Sequence, residues 1–184
     1  MAAGWSPDAV GSGIMMLAVP PALVLAGPAG SGKSTIAAAV AGPLGAAVVG
    51  LDDGGFADQH EVDLLALQER LDEVQDAPLI IVEGVFALAL PPIRWAARWT
   101  VYVDTPPDIA IVRRALEAED PRPVLRGYLE YGRDGLARFV ANGRQLADLV
   151  VDGTQPLDAV ADRIRQFVRA ASPGRPPAPR PGRE

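Results

Sequence analysis

The chain has 184 residues, 49% of them hydrophobic and 22% charged, with a net charge of −6. These values suit one compact domain with a real core, and the acidic balance argues against a nucleic-acid-binding surface, which needs a basic stripe. There is no cysteine, so disulfides, thiolate chemistry and Cys-based zinc sites are excluded, and a reducing cytoplasm fits.

Residues 1–20 read as a loose leader. The stretch is apolar, but Asp8 is its only charge and Pro20 is followed by Pro21. A secretory signal wants a basic start and a spanning helix wants roughly 20 unbroken apolar residues. Neither pattern is met, so no membrane association is expected. The domain itself is expected over residues 21–171.

"ALVLA", Ala22 to Ala26, is an aliphatic run closed by Gly27 and Pro28, the pattern of a buried strand. Ser34 to Ala41 is Ala-rich and predicts a helix. "AAVVGL" predicts a second strand, and "EVDLLALQERLDEV" a helix from its apolar spacing. "PLIIVEG" is a third strand and "WTVYVD" a fourth, the latter ended by Asp104 and the turn "TPP". Asp108 to Ala118 predicts a helix, "ADLVVDG" a fifth strand, and "PLDAVADRIRQFVRAA" a final helix with Pro156 near its first turn. The Pro- and Arg-rich run 172–184 has nothing to bury and predicts a disordered tail. Continuous aliphatic strands alternating with helices indicate an α/β fold with a five-stranded parallel sheet covered on both faces.

Between the first strand and the first helix lies "GPAGSGKST", which fits G-x-x-x-x-G-K-[ST] with Gly27, Gly32, Lys33 and Ser34. Glycines here let the backbone curl, so that successive N–H groups face phosphate oxygens at the positive end of the following helix. Gly27, Ala29, Gly30, Ser31, Gly32, Lys33, Ser34 and Thr35 therefore form a candidate nucleotide cradle. Lys33 would reach the β- and γ-phosphates, and the Ser34 hydroxyl would ligate Mg²⁺. Lys33 is the only lysine in the chain, so the N-K-x-D guanine reader of a GTPase is impossible. An L-S-G-G-Q run, expected of an ABC-type ATPase, is also missing.

Four stretches resemble the uridine kinase family and its relatives, phosphoribulokinase and pantothenate kinase. They are "GPAGSGKST", "VVGLDD", "LIIVEGVFAL" and "VYVDTPPDIAIVRRALE"; "ADLVVDG" is a fainter fifth. The resemblance implies a P-loop NTPase three-layer α/β/α sandwich with a helical lid, about residues 117–135, and an enzyme using ATP and Mg²⁺. It implies Asp52 as the carboxylate that activates an acceptor hydroxyl, with Asp53 assisting the metal. Glu83 is the strand-end acid expected to hold Mg²⁺ with Ser34. Arg113 and Arg114 would neutralise the transferring phosphoryl group together with Lys33, and Arg122, Arg126 and Arg133 are further candidates. Asp104 reads equally as turn chemistry and is not assigned to the site.

The acceptor side departs from the family pattern. "DDGGFADQHEVD" places two glycines where an aromatic pair is expected, and the insert is short. Phe56, Asp58 and His60, with Asp52, are the acceptor-side candidates. A nucleoside is the first expectation for the small hydroxylated acceptor. Pantothenate or a sugar phosphate is a second reading, and a nucleotide-binding protein with a degenerate acceptor pocket a third.

Overall fold

The computed structural model describes residues 22–51, 63–135 and 142–170. Its sheet has five strands, all paired in parallel: β1 (Ala22–Ala26), β2 (Ala47–Gly50), β3 (Ile80–Gly84), β4 (Ala97–Asp104) and β5 (Leu149–Asp152), in the order β2-β3-β1-β4-β5. Every residue of β1 and β3 is buried, because strands in the middle of a two-sided sheet have no solvent face. That is why these runs are aliphatic at nearly every position instead of alternating.

Alternate residues of β1 serve two cores. Leu23 and Leu25 face one layer with Ile81, Val101 and Val103, closed by Ile36 and Val40 of α1 (Lys33–Leu44) and Ile164 and Val168 of the C-terminal helix. Val24 and Ala26 face the other with Ile80, Val82 and Tyr102, closed by Leu67 and Leu71 of α2 (Leu64–Glu73) and Ile93 of α3 (Pro91–Ala96). Each fully buried Val, Leu or Ile side chain of this kind contributes about 1.5–3 kcal/mol. Among the described residues no helix is long and apolar enough to cross a membrane.

The first helix runs beyond the predicted Ser34–Ala41, through Pro43 to Leu44, and ends on Gly45 in the left-handed region with φ 62°. Proline lacks the N–H that would bond to the carbonyl four residues earlier, that of Ala39. Arg165, on the C-terminal helix α8 (Leu157–Ala170), fills the gap: its Nη1 donates to the Ala39 carbonyl at 2.9 Å. The helix thus survives its proline through a contact from the neighbouring α8.

The short α3 is not foreshadowed in the sequence pattern. Its six residues carry too little periodicity, and its opening Pro-Pro reads as a loop although proline suits a first helical turn. Beyond β4 come α4 (Pro107–Glu117), α5 (Pro121–Gly127), a π-helical turn (Tyr128–Gly132) and α6 (Arg133–Gly135). The segment predicted as a lid is therefore helical, and none of α5 is buried. Among the described residues the last two helices are α7 (Gly143–Leu146), which precedes β5, and α8.

Candidate active site

The carboxyl ends of β1, β3 and β4 converge on the loop between β1 and α1, where ligands of open parallel sheets bind. The loop closes on a turn in which Ser31 N–H donates to the Pro28 carbonyl at 3.1 Å. Gly30 and Gly32 take φ of +82° and +89°, a conformation L side chains rarely adopt. Helix α1 then starts at Lys33 with Gly32 as its cap, no side chain capping its first N–H groups and no acid in its first turn. An uncapped amino end held open by glycine is the arrangement that receives an anion.

Lys33 is buried at 5% exposure, and its Nζ donates to the Pro28 carbonyl at 3.0 Å, so the ammonium folds back over the loop it belongs to. Ser34 is exposed at the mouth, and its hydroxyl donates to Glu83 Oε1 at 2.8 Å. Glu83 is 5% exposed and pairs in register with Leu25, two residues before Gly27. The strand pairing is what brings a residue 49 positions away to the serine. Turn residues follow β3 directly, so Glu83 does not serve as a helix N-cap.

Among the described residues no group of three or more His, Cys, Asp or Glu side chains gathers as a metal centre. A serine hydroxyl with one carboxylate nevertheless suits Mg²⁺, a hard ion that keeps several waters and takes its remaining oxygens from substrate phosphates. The donor set fits the expected ion.

Asp52, Asp53, Phe56, Asp58 and His60 lie outside the described residues. The approach to them is described. Leu51 is buried and its N–H donates to the Glu83 carbonyl at 2.7 Å, while Arg70 of α2 donates to the Gly50 carbonyl, also at 2.7 Å. Gly84 permits the close crossing, since a Cβ there would sit 2.7 Å from Leu51 Cβ. The chain thus leaves β2 beside Glu83. Sequence reasoning misses Arg70, because nothing in a helix's spacing shows which arginine reaches a strand end.

Arg113 and Arg114 occupy the last turns of α4. Arg113 Nη1 donates to the Gly153 carbonyl at 2.9 Å, whereas Arg114, Arg122, Arg126 and Arg133 are exposed. Asp104 ends β4 and pairs with Arg144 of α7 at 3.1 Å. Tyr102, two residues earlier, has its hydroxyl pKa raised by burial and, second, by Asp104, with Arg144 opposing. At the end of β5, Asp152 accepts from the Thr154 hydroxyl and N–H and from Gln155 Nε2, and these bonds hold its carboxyl below the usual range.

No family model matches the chain. It is 31% identical over 102 residues to a uridine kinase of Borrelia turicatae, covering 53% of this chain and 50% of that protein. It is 35% identical over 88 residues to a uridine kinase of Vibrio cholerae, covering 45% and 41%. The chain spans about half the length of the curated relatives it matches. Among solved structures it resembles a shikimate kinase from Bacteroides thetaiotaomicron, with TM-score 0.60 and 19% identity over 81% of this chain and 98% of that one. An unliganded sugar kinase from Janibacter sp. gives TM-score 0.59 and 20% identity, over 84% and 99%. At such identities the structural likeness shows the fold, which is the α/β fold of P-loop kinases.

Proposed function

We propose that this chain is an ATP-dependent kinase that transfers the γ-phosphate to a hydroxyl of a small metabolite, with a nucleoside such as uridine or cytidine as acceptor. The observation that carries the reading is the Ser34–Glu83 hydrogen bond at the mouth of an uncapped, glycine-opened helix. Similarity to uridine kinases across about half of the chain supports the same reading.

In this reading the loop N–H groups from Gly27 to Thr35 and the Lys33 ammonium bind the triphosphate. Ser34 and Glu83 would hold Mg²⁺, with Asp53 assisting, and the ion would supply positive charge to the transferring phosphate. Asp52 orients the acceptor hydroxyl and takes its proton. The acceptor oxygen–phosphorus bond forms as the bond from phosphorus to the ADP oxygen breaks, and ADP leaves with that electron pair. Arg114 and the arginines of the α5 segment close over the phosphates, excluding water. The cytoplasm, where ATP is supplied, is the compartment this activity requires.

One feature favours a different acceptor within the same chemistry. Gly54 and Gly55 occupy the place of the aromatic pair that would grip a nucleoside. ADP release measured over a panel of hydroxyl compounds tests both readings. Turnover with uridine or cytidine, abolished by Asp52→Ala, is expected. Turnover only with pantothenate or a sugar phosphate would move the acceptor, and ATP binding with no acceptor raising ADP release would overturn the kinase reading.

A further inference from the structure

The loop between β1 and α1 is walled on its β4 side by contacts that leave no room for side chains. A Cβ on Gly27 would sit 2.5 Å from the Val103 carbonyl oxygen. One on Gly30 would overlap the Ala110 carbonyl oxygen of α4 and lie 2.9 Å from its carbon. One on Gly153, after β5, would overlap Thr105 Oγ1, lie 2.8 Å from Val103 Cγ1 and lie 3.1 Å from the Ser31 carbonyl oxygen. Gly153 itself is held at both ends. Its N–H donates to the Asp104 carbonyl at 2.8 Å, and its carbonyl accepts from Arg113 Nη1 at 2.9 Å.

Ala110 and Arg113 are three residues apart and so share a face of α4. That face touches the loop twice: directly at Gly30, and through Arg113 and Gly153 at Ser31. We propose that Arg113 is a positioning residue of the nucleotide cradle: it fixes the Gly153 peptide against Ser31 and so keeps the loop's N–H groups aimed at the phosphates. The inference rests on reading this loop as the ATP site. It departs from the expectation that Arg113 meets the transferring phosphoryl group, because the donor the structure shows is engaged by a backbone carbonyl. It also links the helix leading into the α5 segment to the cradle, with no ligand required for the contact.

The test is the affinity of Mg·ATP and of Mg·tripolyphosphate at several KCl concentrations, for the wild type, Arg113→Ala, Gly153→Ala, the double variant of these two, and Lys33→Ala. Melting temperatures without ligand accompany each. Loss of a charged hydrogen bond predicts that Arg113→Ala weakens both ligands about tenfold. The salt dependence should stay parallel to wild type, since no charge facing phosphate has been removed. Gly153→Ala should weaken both as well, and the double variant should be no worse than the weaker single, as for two changes acting through one contact. Unchanged affinity in Arg113→Ala, loss for ATP but not tripolyphosphate, a flattened salt dependence, or additive losses would each overturn the proposal. Should Gly153→Ala not fold, the salt dependence of Arg113→Ala alone decides. A wild type that binds neither ligand would instead sink the P-loop reading. Binding abolished in Lys33→Ala but intact in Arg113→Ala would sink only this inference.

Discussion

Gly30→Ala puts the geometry of the cradle to a quantitative test. The new methyl carbon would overlap the Ala110 carbonyl oxygen, with the carbonyl carbon only 2.9 Å away, so loop and helix must separate. Overpacking of that kind costs about 1–3 kcal/mol. The backbone at φ +82° adds about 1–2 kcal/mol for an L side chain. Together the change should cost roughly 2–5 kcal/mol, or about 4–20 °C in melting temperature for a domain of this size. The stabilisation by Mg·ATP should also largely vanish, because the loop must leave its anion-binding shape. Gly42→Ala is the matched control. Gly42 lies in α1, and a methyl added there would meet nothing within 4 Å, so the same substitution should stabilise by about 0.5–1 kcal/mol. Thermal unfolding of both variants with and without Mg·ATP reads the difference. A Gly30→Ala protein melting within about 1 °C of wild type, with its ATP-induced shift intact, would refute the reasoning.

Three further outcomes follow from particular contacts. Arg165→Met leaves the Ala39 carbonyl without its donor from the neighbouring α8 and should destabilise by about 1–3 kcal/mol in urea unfolding. Most of that loss should disappear in a Pro43→Ala background, where the helix supplies its own N–H; an equal loss in both backgrounds would show that the bond is not compensating for the proline. Asp152 has its pKa lowered in the fold, so the stability it brings is present above the ordinary carboxylate range and is lost as pH falls below it. The melting-temperature gap between wild type and Asp152→Asn should therefore hold at neutral pH and shrink as pH falls below the ordinary carboxylate range, and a gap that widens on acidification would contradict that sign. Lys33→Ala should lose ATP-dependent thermal stabilisation, and an undiminished shift would remove the lysine from the phosphate site.

Much of the sheet was legible because its causes are local. Ala22–Ala26 is aliphatic throughout, and Ile80–Gly84 nearly so, since both their faces are covered, and glycine punctuates their ends. The cradle was legible for the same reason: its glycines answer to backbone conformation within one short loop. What sequence did not reveal depends on distant partners. Pro43 looks like a helix stop, and the arginine that lets the helix pass it lies 126 positions from the carbonyl it serves. Arg113 looks like one more lid arginine, and its partner Gly153 is 40 positions on. The Asp104–Arg144 pair forms only once α7 packs at the end of β4. Glu83 is marked by its strand end, although its serine partner required the pairing of β1 with β3.

The central claim is that the cradle delivers a γ-phosphate to a small-molecule hydroxyl. Incubating the protein with Mg²⁺ and γ-labelled ATP over a panel of nucleosides, pantothenate and sugar phosphates, and following where the label goes, tests it most directly. Label should move into a phosphorylated acceptor in the wild type and in neither Lys33→Ala nor Asp52→Ala. Bound ATP whose label stays on ATP or appears only as inorganic phosphate, whatever the acceptor, would contradict it.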